Sequence, residues 1–251
     1  LNGDQTLPRW SGLNIQAQHQ ASARLQQTAL PAVILWLGGA VAIAALIDAG
    51  RRAQWTESAT QQGMWALATV ALLLARQATV TMPGGVTLQY AGAAWLTLLL
   101  GYPRAVLSVA AAMTIEALTG GRSAAGLGLE IVLFAVAPAW LMWALARACR
   151  RRLPPNPFVF LIGVGFLGLF IAYALPLLAA GLIDALALGT QAAADTASAH
   201  AFGQQLRLAL PYALLLSAGE AWIEGMLTTL LVVFAPQRVR LFDEAYYLGG
   251  R

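Results

Sequence analysis

Long apolar runs follow one another along most of this chain, and they leave few folds open to it. A helix needs roughly 20 mainly apolar residues to cross about 30 Å of hydrocarbon. Runs of that order stand at 29–49, 63–80, 86–101, 103–119, 127–146, 158–189 and 208–235. Charges or helix breakers separate them, among them Gly50-Arg51-Arg52, Met82-Pro83-Gly84-Gly85, Gly120-Gly121, Arg150-Arg151-Arg152 and Pro154-Pro155-Asn156-Pro157. The expected fold is therefore an all-α, polytopic transmembrane bundle of about seven spans. Its third and fourth spans are short, and Pro176 is expected to kink the long sixth.

Composition agrees: 59% of residues are hydrophobic and 10% charged, against roughly 45–50% and about 25% in soluble domains. A water-soluble fold of this size cannot hide that much apolar surface. The net charge of +4 does not point to nucleic acid, because all 15 basic residues are arginines placed mainly between apolar runs. With seven spans, the face of the N-terminus holds Arg9, Arg24, Arg76, Arg122 and Arg207. The opposite face holds the other ten arginines, which predicts an outer N-terminus and a cytoplasmic C-terminus. Residues 1–28 read as a polar N-terminal segment without the order of a cleavable signal, 29–235 as one transmembrane domain and 236–251 as a cytoplasmic tail.

Ionisable groups inside a bilayer cost roughly 2.5–3.5 kcal/mol each on insertion scales, so those that occur are candidates for function. Glu220 and Glu224 fall deep in the last span, and their i,i+4 spacing puts both carboxylates on one helical face. Gln89, Glu116, Glu130 and Asp184 lie toward the outer leaflet. Together these six residues are the expected lining of a polar, net acidic vestibule. Near its span end, Arg76 is placed to pair with Glu116 or Glu130. His19 and His200 read as solvated, and Cys149 matches no metal spacing. Ser217 has no intramembrane histidine to activate it, so the chain is not expected to be an enzyme, and side chains alone, without a cofactor, are expected to do the recognition.

Two stretches carry a family resemblance. Residues 89–101, Gln-Tyr-Ala-Gly-Ala-Ala-Trp-Leu-Thr-Leu-Leu-Leu-Gly, followed by Ile115-Glu116-Ala117-Leu118 and Gly120-Gly121, resemble the CbiM-type membrane subunit of energy-coupling-factor importers for cobalt and nickel. The C-terminal part from Gly219-Glu220-Ala221-Trp222 through Tyr247-Leu248 is similar to a divergent branch of that family. The resemblance implies a solute-capturing subunit of the bacterial cytoplasmic (inner) membrane, working with a separate transmembrane coupling protein and cytoplasmic ATPases. It also implies a metal held by an N-terminal Met-His pair and by a histidine opening the Ala/Gly span. Here Leu1-Asn2 and Gln89 stand at those places, so that histidine site is expected to be absent, and no metal ligand is assigned.

The sequence contains no lysine and hence no Walker A motif, so ATP hydrolysis belongs to a partner. Arg104, Arg147, Arg150, Arg151 and Arg152 are the expected docking points for one, and attraction to anionic lipid explains them equally well. The alternative function is a structural or assembly subunit of a larger membrane complex, in which the acidic residues only specify helix packing.

Overall fold

The computed structural model describes residues 32–55, 58–77, 79–81, 87–120, 126–192 and 196–249. Helix α1 (Ala32–Arg52) is followed by α2 (Ala59–Gln77) and a short antiparallel hairpin of β1 (Thr79–Thr81) and β2 (Thr87–Gln89). Register in the hairpin pairs Thr79 with Gln89, Val80 with Leu88 and Thr81 with Thr87. Then come α3 (Ala93–Leu100), α4 (Tyr102–Thr119) and α5 (Leu127–Arg152), the last with a π-helical stretch at Val132–Val136. Helix α6 begins as π-helix, Val159–Gly168, and continues as α-helix, Leu169–Ala192. Helix α7 (Thr196–Phe234) is the longest, and a 3-10 turn at Pro236–Arg238 leads to α8 (Glu244–Leu248).

Four described stretches are long and apolar enough to cross a membrane: Val33–Arg52, Leu127–Arg152, Val159–Ile183 and Ala213–Phe234. Large apolar side chains cover their outer faces, including Trp36, Ile43, Ile162 and Val233, as lipid contact requires. The protein is thus a helical membrane protein.

The expected third span, 86–101, is not one helix. Its first part is strand β2, and α3 has only 8 residues, about 12 Å of rise. Gly92 makes the break, with φ of 65°, and a Cβ there would meet Leu72 Cδ1 at 2.6 Å. Gly101, at φ 83°, turns the chain from α3 into α4, whose first turn carries Pro103. Pro176 and Pro211 lie inside α6 and α7 without ending them.

Short side chains set the helix spacing. A Cβ on Gly128 of α5 would fall 2.5 Å from Gly39 Cα of α1, so those two backbones touch. Gly225 of α7 lies as close to α6, where a Cβ would meet Gly165 O at 2.8 Å. One buried cluster joins α3, α5, α6 and α7 to the C-terminal tail through Leu98, Met142, Phe160, Tyr173, Ala221 and Phe242. A second joins α1 through α5 around Leu96, Val109 and Ile131. Helix α3 belongs to both, and most of its residues are buried, so protein encloses the non-helical break beside it.

Candidate functional site

Helix α7 presents a polar stripe to the bundle interior. Ser217, Glu220, Glu224 and Thr228 recur at three- and four-residue steps and are all buried. Facing them are Tyr173 from α6, Trp95 from α3, and Tyr90 and Ala91 from the turn between β2 and α3.

Glu224 is fully engaged. The Tyr90 hydroxyl donates to its Oε1 at 2.5 Å and the Tyr173 hydroxyl to its Oε2 at 2.7 Å. Tyr173 in turn accepts the Trp95 backbone N–H at 3.2 Å. The Trp95 indole N–H donates to Thr228 Oγ1 at 3.2 Å, and Thr228 itself donates to the Glu224 carbonyl at 2.7 Å. One turn earlier on α7, Glu220 Oε1 accepts the Ala91 N–H at 3.1 Å. Its other oxygen, Oε2, is buried and has no hydrogen-bond partner among the described residues, and the same is true of Ser217 Oγ.

A second polar group lies on the other side of Tyr90. Arg76 of α2 grips Glu116 of α4 through two bonds, Nε to Oε1 at 2.7 Å and Nη2 to Oε2 at 3.0 Å. Its Nη1 donates to the Tyr90 carbonyl at 3.0 Å. Tyr90 therefore ties the two groups together, its carbonyl bound to Arg76 and its hydroxyl to Glu224. Among the described residues neither Glu220 nor Glu224 forms a salt bridge.

Of the six residues expected to line a vestibule, the structure brings Glu220 and Glu224 together and connects Glu116 to them through two residues, Arg76 and Tyr90. Glu130 opens α5, half-buried, at the end of that helix that meets α1. The side chains of Gln89 and Asp184 lie outside the described residues, although Gln89 directly precedes Tyr90 in the chain. Tyr173 was missed, because one tyrosine in a continuous apolar run reads as packing. Its signal is a phenol at the same depth as a buried carboxylate.

The opposite end of the bundle is rich in arginine. Arg104, one of the expected docking points, is only 4% exposed, donates to the Gln54 carbonyl at 2.7 Å and lies 5.3 Å from the Trp65 ring centroid. It braces α4 against the α1–α2 loop. Arg147, Arg150, Arg151 and Arg152 are exposed. Arg150 pairs with Asp243 of the tail at 2.7 Å, and Trp143, Arg147, Arg151 and Arg152 line an open groove.

The family model described as "Cobalt uptake substrate-specific transmembrane region", CbiM, matches residues 25–239. The chain belongs to the CbiM family. This places it among membrane components of metal-ion transport. Two solved structures share the fold at a TM-score of 0.63 and 19% identity. One is a truncated transition-metal transporter, with 82% of this chain and 97% of that chain covered. The other is a transition-metal transporter, with 89% and 98% covered. No curated protein matches the sequence. Among the described residues of this CbiM member, no group of three or more His, Cys, Asp or Glu side chains is placed to hold a metal ion.

Proposed function

We propose that this CbiM-family chain is the membrane-embedded capture subunit of an energy-coupling-factor-type importer. It takes a transition-metal cation from the outer side of the bacterial cytoplasmic membrane and depends on a separate transmembrane coupling protein and cytoplasmic ATPases for energy. The observation that carries this reading is the Glu220–Glu224 pair, buried in the last spanning helix and bonded to the turn after Gln89. A carboxylate pair at that depth is costly to insert and is retained for a purpose.

The topology that goes with it has seven crossings, 29–235 forming the membrane domain, with the N-terminal segment outside and the tail, 236–251, inside. The third crossing is a broken one, completed by α3 after the Tyr90–Gly92 turn. Support comes from the gathering of Arg52, Arg104 and Arg240 around Gln54 at the end of the bundle that also carries the α7–α8 tail. The exposed Arg147 and Arg150–Arg152 at the end of α5 are the docking points for the energising partner.

The alternative, a structural or assembly subunit, is favoured by one observation: Glu224 has both oxygens satisfied by tyrosines and thus fixes packing without a ligand. Thermal unfolding of the detergent-solubilised protein against Co²⁺, Ni²⁺ and Mg²⁺ separates the two. A capture subunit is stabilised by its cargo, by about 2.7 kcal/mol at a hundredfold excess over Kd. A structural subunit responds to none of the ions and is stabilised only by the protein it assembles with.

A further inference from the structure

Among the described residues, the buried and half-buried Ser and Thr hydroxyls of these helices make hydrogen bonds, with one exception. Thr69, Thr97, Thr114, Thr228 and Thr229 each donate to the carbonyl four residues earlier, at 2.7 to 2.9 Å. Ser108 instead takes the Trp65 indole N–H at 2.8 Å. Ser217, 0% exposed, does neither, although the same carbonyl bond is open to any helical serine. Three residues on, along the same face of α7, Glu220 is 8% exposed and leaves Oε2 bare. Its Oε1 is fixed by the Ala91 N–H, which determines how the carboxylate is turned. Two buried oxygens on adjacent turns, both unpartnered, are rare in a native interior.

Charge adds a second constraint. Glu220 and Glu224 lie one turn apart, and Glu224, with both oxygens taken by phenols, has no free oxygen to offer. Arg76, a cation near enough to act on Glu220, has two of its nitrogens held by Glu116. A doubly charged cation at Glu220 Oε2 would offset the charge the two carboxylates carry when ionised and give the bare oxygens a ligand.

We infer that Glu220 Oε2 and Ser217 Oγ form an all-oxygen binding site for a divalent metal cation on α7. This rests on the capture reading and locates the cargo within it. The site lies on α7 one turn before Glu224, where Glu220 meets the Ala91 N–H of the Tyr90–Gly92 turn. Its donors are hard oxygens, so it selects divalent ions over soft monovalent ones and holds a borderline ion such as Co²⁺ only moderately.

The test is calorimetric titration of the full chain in detergent with CoCl₂, beside thermal unfolding without metal, for the wild type, Ser217→Ala and Glu220→Gln. The expected result is Co²⁺ binding by the wild type, weakened at least about tenfold in Glu220→Gln and more mildly in Ser217→Ala. The metal-free unfolding temperature of Ser217→Ala should stay the same or rise, because the deleted hydroxyl makes no bond. Wild-type binding that persists unchanged in both variants overturns the site and leaves the capture reading standing. A wild type that binds no Co²⁺ overturns both. A Ser217→Ala protein that unfolds at lower temperature without metal, with its Co²⁺ affinity intact, marks the serine as a packing residue and removes it from the site.

Discussion

Tyr173 and Glu224 meet across the α6–α7 contact, phenol to carboxylate at 2.7 Å, with both side chains closed off from solvent. Tyr173→Phe removes a donor from Glu224 and an acceptor from the Trp95 N–H at once. Leaving a buried polar group unsatisfied costs roughly 1–3 kcal/mol, more when it is charged. The expected outcome is a clear fall in unfolding temperature, much of it restored when Glu224→Gln is added. Denaturation of the two single variants and the double variant, read as a cycle, measures the coupling.

The Arg76–Glu116 pair is almost closed to solvent, with 6% and 11% of the side chains exposed. Breaking a buried pair by removing one partner costs about 3–5 kcal/mol because a charge is stranded. Glu116→Gln should therefore destabilise strongly, while Arg76→Met combined with Glu116→Leu should cost much less than the sum of the single changes. Freed from Arg76, the Tyr90 turn should also exchange its amide hydrogens faster, which mass spectrometry reads directly.

At the α1–α5 contact, two neighbouring glycines should answer differently to the same substitution. A Cβ on Gly128 collides with the Gly39 backbone, whereas one on Gly39 has nothing within 4 Å. Gly128→Ala is expected to lower the unfolding temperature by several degrees, for a cost of roughly 1–3 kcal/mol. Gly39→Ala should be neutral or slightly stabilising. Equal effects would mean that the two helices do not pack through this point.

The C-terminal tail packs into the bundle through Val239, Phe242 and Tyr247, and Asp243 adds two polar contacts. It caps α8 by accepting the Tyr246 N–H at 3.1 Å and pairs with Arg150 of α5. Loss of such a cap costs about 0.5–2 kcal/mol. Asp243→Ala should release α8 without unfolding the bundle, so proteolysis after Arg238 or Arg240 quickens while the main thermal transition barely moves. Phe242 and Tyr247, packed against Phe160 at 5.0 and 5.4 Å, limit the effect to partial release.

What the sequence disclosed followed from apolar length and charge. The runs at 29–49 and 127–146 became α1 and most of α5, and the i,i+4 spacing of Glu220 and Glu224 placed them on one buried face. The run at 86–101 misled because apolar content does not reveal backbone state. Thr79-Val80-Thr81 and Thr87-Leu88-Gln89, flanking Pro83-Gly84-Gly85, form a β-hairpin whose alternation was masked by the apolar residues around it. The burial of Arg104 was hidden for a related reason: an arginine at a helix start looks exposed until the Gln54 carbonyl and the Trp65 ring are seen to cover it. Tyr173, Thr228 and the bare Ser217 hydroxyl carry no pattern of their own, since their roles depend on which helix lies opposite.

The π-helical opening of α6 affects how relatives are compared with this chain. A π turn closes i to i+5 and takes in a residue that an α turn would leave out. Between Val159 and Gly168 the helix thus absorbs extra sequence with no loop to betray it. A relative with a regular α-helix here would be shorter and still present the same side chain to α7. Alignments without a gap would then slip at this point, and the phenol opposite Glu224 would seem to have been replaced where it had only changed its number.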